Sequence, residues 1–507
     1  MKLRAVLVIA TLSAAACTVG GVTVSLGGGP LQSGGAPGSG GDSVGPGGAG
    51  LGAVGGDTGD GGLMVTPGAY EPVCTGRAKT SISGTVYDPA GAVPLYNAVV
   101  YVPKVSGQLD PFLTKVACEK CTDSVPARAV TLSGPDGKFL LEDTPAGWVD
   151  LVVQVGKWRR KQTVEIKECQ DNLIDKESTR LPRSKGEGDI PKIAVSTGHS
   201  DALECLLRKI GIADTEFTTD SAAGRVNMFV GCEEDDPDPV DLTKHTGASH
   251  FNEKLGGGIF PSTNQLFDAG KLDQYDVLVF SCEGHKCDSI QTATHIAQLV
   301  DFVNRGGRVF LDHDHYNWLN HANAPIKSAA QFDSSQDNVP SPLATKINTS
   351  FPKGKAFAEW LVNVNASPAT SPGVLNIYTA RTSVQSTADK PGLSPNRAQS
   401  WIYRDEASDA HVYDGFFYFT IGTPVAVKDD DPAPEACGRV VFTDLHLSKN
   451  GGGEPTAVDF SDQNTPFPDG CTQKPLSPQE KALEFMFFDL TSCVQQEDTI
   501  PTPPVVK

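Results

Sequence analysis

Between Cys17 and Gly62 the chain carries 20 glycines, and no lysine or arginine occurs between Arg4 and Arg77. Such a stretch has too little apolar area to offset the entropy of ordering it, so the sequence predicts a disordered tether over 18–73. About 45 flexible residues reach roughly 35–40 Å, enough to hold a folded body clear of a membrane surface. Two motif matches fall inside the tether. Gly45–Gly50 satisfies GxGxxG and Gly41–Gly45 satisfies GxSxG, but neither follows a strand or opens a helix, so neither carries chemistry. The rest of the 507 residues leaves room for more than one domain. With 42 Lys+Arg against 61 Asp+Glu the formal charge is −19, and no basic stripe offsets it, which excludes nucleic acid as a partner.

Residues 1–17 read as an address. Lys2 and Arg4 precede the apolar run Ala5–Leu12, and Ser13-Ala14-Ala15-Ala16 leads into Cys17. This is the layout of a secretory signal peptide, too short to span a bilayer. Ala14-Ala15-Ala16-Cys17 resembles the lipobox of bacterial lipoproteins. The resemblance implies a diacylated Cys17 that anchors the chain to a membrane. Thr18, where Asp would signal inner-membrane retention, implies the outer membrane, facing periplasm or cell surface. The alternative is cleavage nearby that leaves Cys17 a free thiol.

Over 74–182 short β-branched runs alternate with turns: Ser81–Asp88, Ala98–Val102, Phe139–Leu141, Val149–Val155 and Gln162–Ile166, separated by Pro89-Ala90-Gly91, Asp136-Gly137 and Pro145-Ala146-Gly147. That punctuation predicts a small all-β sandwich. The ordered series Gly84, Val86, Asp88, Gly91, Val100, Val102, Asp136, Gly137, Phe139, Pro145, Gly147, Leu151, Val153 resembles the carboxypeptidase regulatory-like family. Its members are transthyretin-like, generally non-catalytic modules, and some related folds bind carbohydrate, so the resemblance implies an accessory or adhesive role. Cys118-x-x-Cys121 lies in an insertion of this module. A redox motif would need a βα context and a zinc site a second ligand pair, so a disulfide is expected.

Over 188–495 the texture changes to strand–helix alternation. Lys192–Gly198, Val226–Val230, Tyr275–Cys282, Arg308–Asp312 and Gly438–His446 are apolar strands. Asp201–Gly211, Thr294–Asn304 and Pro478–Leu490 read as helices. Apolar strands alternating with helices predict an α/β domain with a parallel sheet covered on both faces. Residues 325–430 break the rhythm and read as a β-containing insertion, with a helix near Ala356–Val364. The Pro-rich end, 496–507, reads as a disordered tail. The expected whole is multidomain, a β-sandwich followed by a flavodoxin-like or amidotransferase-like α/β domain. Gly306, Gly307, Phe310, His313, Val441 and His446 match a pattern of strand-terminal histidines that resembles the glutamine-amidotransferase-like superfamily, particularly its ThuA-like branch.

In open parallel sheets ligands bind beyond the carboxyl ends of the strands. His199, Glu283, His285, His313, His315, Asp444 and His446 all fall there. If the strand runs on, His313 and His315 face one side and Asp312 and Asp314 the other. His199, His313, His315, Asp444 and His446 form a candidate ligand set for a divalent metal. His313, His315, His446, Glu283 and His285 are candidate acid–base groups. Polar residues also gather wherever buried strands meet solvent. Cys282-Glu283-Gly284-His285 looks like the Cys-x-Gly-His of class I amidotransferases, but it sits one strand before the nucleophile position. A disulfide between Cys282 and Cys287 is expected instead. Eleven cysteines beyond Cys17 leave at least one without an intrachain partner. Asp429–Asp431 reads as a solvated loop, with Ca²⁺ binding as the alternative.

Two functions fit. One is a non-catalytic envelope lipoprotein that binds a glycan or an envelope protein. The other is a surface hydrolase, with or without a metal to assist it, with its site at the strand ends.

Overall fold

The computed structural model describes residues 68–76, 78–107, 109–198, 200–232, 248–323, 326–332, 341–387, 398–404, 415–423, 437–447 and 466–507. Cys17, the tether to residue 67, His199 and Asp429–Asp431 lie outside them. Val65–Lys507 forms one compact unit.

The β-rich part contains β1 (Ser81–Thr85), β2 (Val99–Pro103), β3 (Ala127–Leu132), β4 (Lys138–Leu141), β5 (Gly147–Val155), β6 (Trp158–Ile166) and β7 (Asp171–Leu173). They make two sheets, ordered β4-β1-β7 and β3-β2-β5-β6. Alternate residues of both sheets, Ile82, Val100, Phe139, Leu151 and Val153, are buried in one core. Gly137 turns into β4 at φ +72°, and a Cβ there would lie 2.6 Å from Pro94, so the Asp-Gly turn cannot carry a side chain. The folded part starts earlier than the tether reading placed it. Tyr70 exchanges two backbone hydrogen bonds with Ala146, and Cys74 is bonded to Cys169.

A single-turn helix, α1 (Lys176–Thr179), leads into the α/β part. Its elements are β8 (Ile193–Thr197), α2 (Leu203–Lys209), β9 (Phe217–Thr218), β10 (Val226–Val230), β11 (Val277–Phe280), α3 (Ala293–Asn304), β12 (Arg308–Leu311) and α4 (Tyr316–Asn320). These are followed by β13 (Ala330–Phe332), β14 (Leu343–Ile347), α5 (Pro352–Asn363), β15 (Val374–Ile377), β16 (Val384–Thr387), β17 (Ala398–Arg404), β18 (Gly415–Thr423), β19 (Gly438–Thr443) and α6 (Pro478–Thr491). The main sheet is ordered β15-β14-β17-β18-β19-β12-β11-β8-β10-β9. From β19 to β9 every neighbouring pair is parallel, and from β15 to β19 every pair is antiparallel. Residues 325–430, read as a β-containing insertion, contribute to this same sheet. Four of their strands extend the same sheet, and β13 and β16 pair as a separate ribbon.

The sheet has a core on each face, as its continuous apolar strands require. In β11, Val277 and Val279 pack into one core while Leu278 and Phe280 pack into the other. The first of these cores also contains the inner residues of the β-sandwich. α6 joins the two parts. Trp158 of β6 packs edge-on against Phe487 and Phe488 at 6.4 and 5.7 Å, and Tyr96 stacks on Phe485. Ser477 caps this helix through a reciprocal bond pair with Glu480, which satisfies two backbone donors of its first turn.

Two disulfide expectations are corrected. Cys118 is bonded to Cys437 and Cys121 to Cys493, because the segment that carries them lies against the α/β part. A Cβ on Gly306 would meet the carbonyl oxygen of Ala117 at 2.2 Å. Cys287 is bonded to Cys232, not Cys282, and Cys205 to Cys471. Among the described residues Cys282 is the free cysteine. The tail expectation is also corrected. Val125 and Lys507 donate backbone hydrogen bonds to Val505 and Val125, and Glu497 pairs with buried Lys353 and Arg439 at 3.3 Å each.

Candidate functional site

β11, β12 and β19 lie side by side in the parallel half of the sheet and end at the same edge. Their next residues converge. Cys282, His313 and His446 are all buried, and each offers a donor atom within 4.8 Å of the others.

The chain does not continue as a strand beyond Leu311. Asp312 accepts a hydrogen bond from the backbone N–H of His313 at 2.7 Å and caps a 3₁₀ turn, His313–His315. The turn overrides the two-residue alternation expected of a strand, so His313 and His315 point to different places. The Nε2–H of His315 donates to the carbonyl of Ser281 at 2.7 Å, and its Nδ1 accepts from Trp318 Nε1 at 3.1 Å. Burial holds this ring below the ordinary histidine pKa. Both ring nitrogens are engaged, so His315 is part of the packing and is no ligand.

His313 faces the convergence. His446 Nδ1–H donates to the carbonyl of Thr379 at 2.9 Å, which leaves its Nε2 bare. That atom lies 2.6 Å from His313 Nδ1 and accepts its proton. The chain of bonds orients both rings and turns His313 Nε2 toward Cys282 and Asp314. Burial and the charge of His313 hold His446 down to about 4. His313 moves the opposite way. Burial opposes its charge, but Cys282, Asp314 and Asp312 outweigh that cost and raise it well above 6.5.

Two atoms face His313 Nε2. Cys282 Sγ lies 3.7 Å from it and Asp314 Oδ2 lies 3.1 Å from it. Sγ and Oδ2 are 3.3 Å apart. Gly284, at φ +77°, turns its N–H back onto Sγ at 3.2 Å. Burial pushes the Cys282 thiol well above its ordinary pKa, with His313 opposing. The backbone at Cys282 is not left-handed, so it lacks the strained strand-to-helix turn of a nucleophile elbow.

More carboxyl groups close in behind. Asp201 accepts both bonds of the Leu447 N–H at 3.0 Å. Burial and the Asp312 charge raise its pKa far above the ordinary range, so it holds a proton against Asp312. Asp444 accepts from the Ser383 hydroxyl and from its N–H at 3.0 Å, and burial lifts it to about 7. It is tied to the loop before β16 and does not enter the donor group. Glu283 is buried against Gly231, where a Cβ would sit 1.9 Å from Glu283 Oε1. His285 is half-buried and is not in the donor group.

A tetrahedral ion with bonds of about 2.3 Å to sulfur and about 2.0 Å to nitrogen and oxygen leaves ligand–ligand edges of about 3.3–3.6 Å. The Sγ–Nε2–Oδ2 triangle has edges of 3.7, 3.3 and 3.1 Å. One sulfur, one imidazole and one carboxylate suit zinc and similar borderline-soft ions better than magnesium or calcium. His446 then takes the place of the group that receives the other N–H of a ligating histidine. The residues present fit a metal. Sequence reasoning placed His313 and His446 at this edge, missed Asp314, and set Cys282 aside as a disulfide partner. The Asp-His-Asp-His run closing a strand was the available signal, since an Asp there can cap a turn.

No family model matches the chain, and no curated protein matches it. Two solved structures were found, an N-terminal and a C-terminal interface mutant of the type II cohesin–X-dockerin complex from Acetivibrio cellulolyticus. Each is 14% identical over 28% of this chain and 78% of that chain, with a TM-score of 0.14. A likeness that slight carries no argument about fold or partner.

Proposed function

We propose that the chain is an envelope-displayed hydrolase whose α/β part holds a divalent metal, zinc by preference, on Cys282, His313 and Asp314. The convergence of one thiol, one oriented imidazole and one carboxylate on a single tetrahedral face carries this reading. Such an ion, when bound, polarises a carbonyl or lowers the pKa of a bound water to about 7. His446 positions His313, and the Asp201–Asp312 pair holds the turn that presents it. Glu283 and Asp444, buried beside these groups, are the acid–base candidates for an ester or amide substrate. The flavodoxin-like or amidotransferase-like architecture and the lipid anchor at Cys17 belong to the same proposal. They explain an apolar parallel sheet on a chain that carries five disulfides.

The test is metal analysis of the purified full chain, alone and after equilibration with zinc. About one equivalent is expected, with loss in Cys282→Ala and in His313→Ala. Hydrolysis of chromogenic esters and amides should fall with chelation and return with zinc. An unaltered metal content in both variants, or no metal under either condition, defeats the proposal.

A further inference from the structure

The opposite edge of the parallel sheet holds a second feature, independent of the metal reading. Lys192 immediately precedes β8, Arg225 precedes β10 and Asp276 precedes β11. These residues, with Lys157, Lys185 and Asp189, line a cleft of about 500 Å³. Its other wall is the insertion between β2 and β3, where Phe112 and Thr114 contribute.

The charges in this cleft do not cancel. Lys157 is paired with Asp276 and with Glu119. Asp189 is paired with Arg159 at 2.8 Å, which also stacks over Phe112 at 4.1 Å. Lys185, Lys192 and Arg225 make no ion pair among the described residues. The Lys185 ammonium donates to the carbonyl of Ala223 at 2.7 Å, and Arg225 Nε donates to that of Ile190 at 2.7 Å. The Lys192 ammonium lies 4.9 Å over the Tyr275 ring. Three cations thus face one cleft in a chain whose net charge is −19. Burial lowers the Lys192 pKa, and the neighbouring Arg225 charge lowers it further. Like charges held together in a partly dry cleft are relieved by an anion between them.

We propose that this cleft binds an anionic saccharide of one or two units, with its carboxylate or phosphate held between Lys192 and Arg225. The volume lies in the ordinary range for small-molecule sites. Pro111 and Leu113, beside the Arg159-stacked Phe112 ring, offer apolar surface to a sugar, and Thr114 and Gln274 supply hydrogen-bonding groups around it. The anion sets orientation, and the polar wall sets the fit of the ring.

Isothermal titration of the full chain tests this with three probes: digalacturonate, its neutral counterpart digalactose, and inorganic phosphate. Digalacturonate is expected to bind, at least tenfold tighter than digalactose, and more weakly as salt rises. Lys192→Gln and Arg225→Gln should each weaken it at least tenfold, while Arg225→Lys keeps most of the affinity. Circular dichroism of each variant separates lost binding from lost fold. Because the Lys192 ammonium makes no hydrogen bond among the described residues, its variant keeps the test sound if Arg225→Gln fails to fold. No binding of digalacturonate, equal binding of digalactose, or affinity unmoved by Lys192→Gln overturns the proposal. Phosphate binding as tightly as the disaccharide overturns the saccharide assignment. None of these outcomes bears on metal content, so the two proposals fail separately.

Discussion

His446 donates from one ring nitrogen to Thr379 and accepts His313's proton on the other, so its effect on a metal passes through His313. His446→Phe should therefore keep one equivalent of zinc but weaken its affinity about 10–100-fold, measured by competition with a chelator. His315→Ala should leave zinc affinity unchanged and lower Tm instead, because it strands the buried Ser281 carbonyl and the Trp318 N–H, at about 1–3 kcal/mol for each lost partner. The contrast between these two histidines could not be read from their spacing. Both end the same strand in the sequence, and only the turn capped by Asp312 separates them. Cys282 was hidden for a related reason. Cys287 is five residues away in the chain, but its sulfur reaches Cys232, 55 residues back. Proximity along a loop says little about which way two side chains leave it.

At the scale of elements, α6 carries a buried acid into the β-sandwich. Glu484 faces Asp88, and both are fully buried. Burial raises Asp88 to about 6 although the Ala92 and Val93 N–H groups oppose it. Burial and the Asp88 charge raise Glu484 well above its usual range. Both folded pKa values exceed the unfolded ones, so this pair's stabilisation is complete below about pH 4 and is lost as pH rises through about 6 and beyond. Tm should fall between pH 5 and pH 8, and Glu484→Gln should flatten that fall while raising Tm at pH 8. A wild-type Tm that rises across the window would refute the assignment. The elements themselves were largely legible. Val226–Val230 is a strand as its apolar run implied, and the helices over Ala293–Asn304 and Pro478–Thr491 begin and end within a residue or so of their periodicity. The pairing of the 325–430 region was not, because β14 alternates like free-standing β structure and the runs after it carry no helices between them among the described residues. Nothing local says that they hydrogen-bond to the edge of a sheet begun more than a hundred residues earlier.

The β-sandwich and the α/β part share a core, two disulfides and the α6 aromatic cluster, so they should unfold together. A single calorimetric transition is expected, and reduction should lower its Tm, since each bridge contributes about 2–4 kcal/mol. Two separated transitions would show that the parts are independent. Thiol counting adds a further check. The native protein should expose no reactive Cys282 thiol. The unfolded, unreduced protein should show one thiol if Cys17 is acylated and two if it is not. The order of these closures along the chain also sets a timetable. Cys121 waits for Cys493, 372 residues later, and Val125 waits for Val505 and Lys507. A chain threaded through a membrane from its N-terminus cannot finish the β-sandwich while the rest is still arriving. On the proposed export route such a chain would stay open, with apolar Trp158 uncovered, until α6 had crossed, so that delivery and folding would be separated in time.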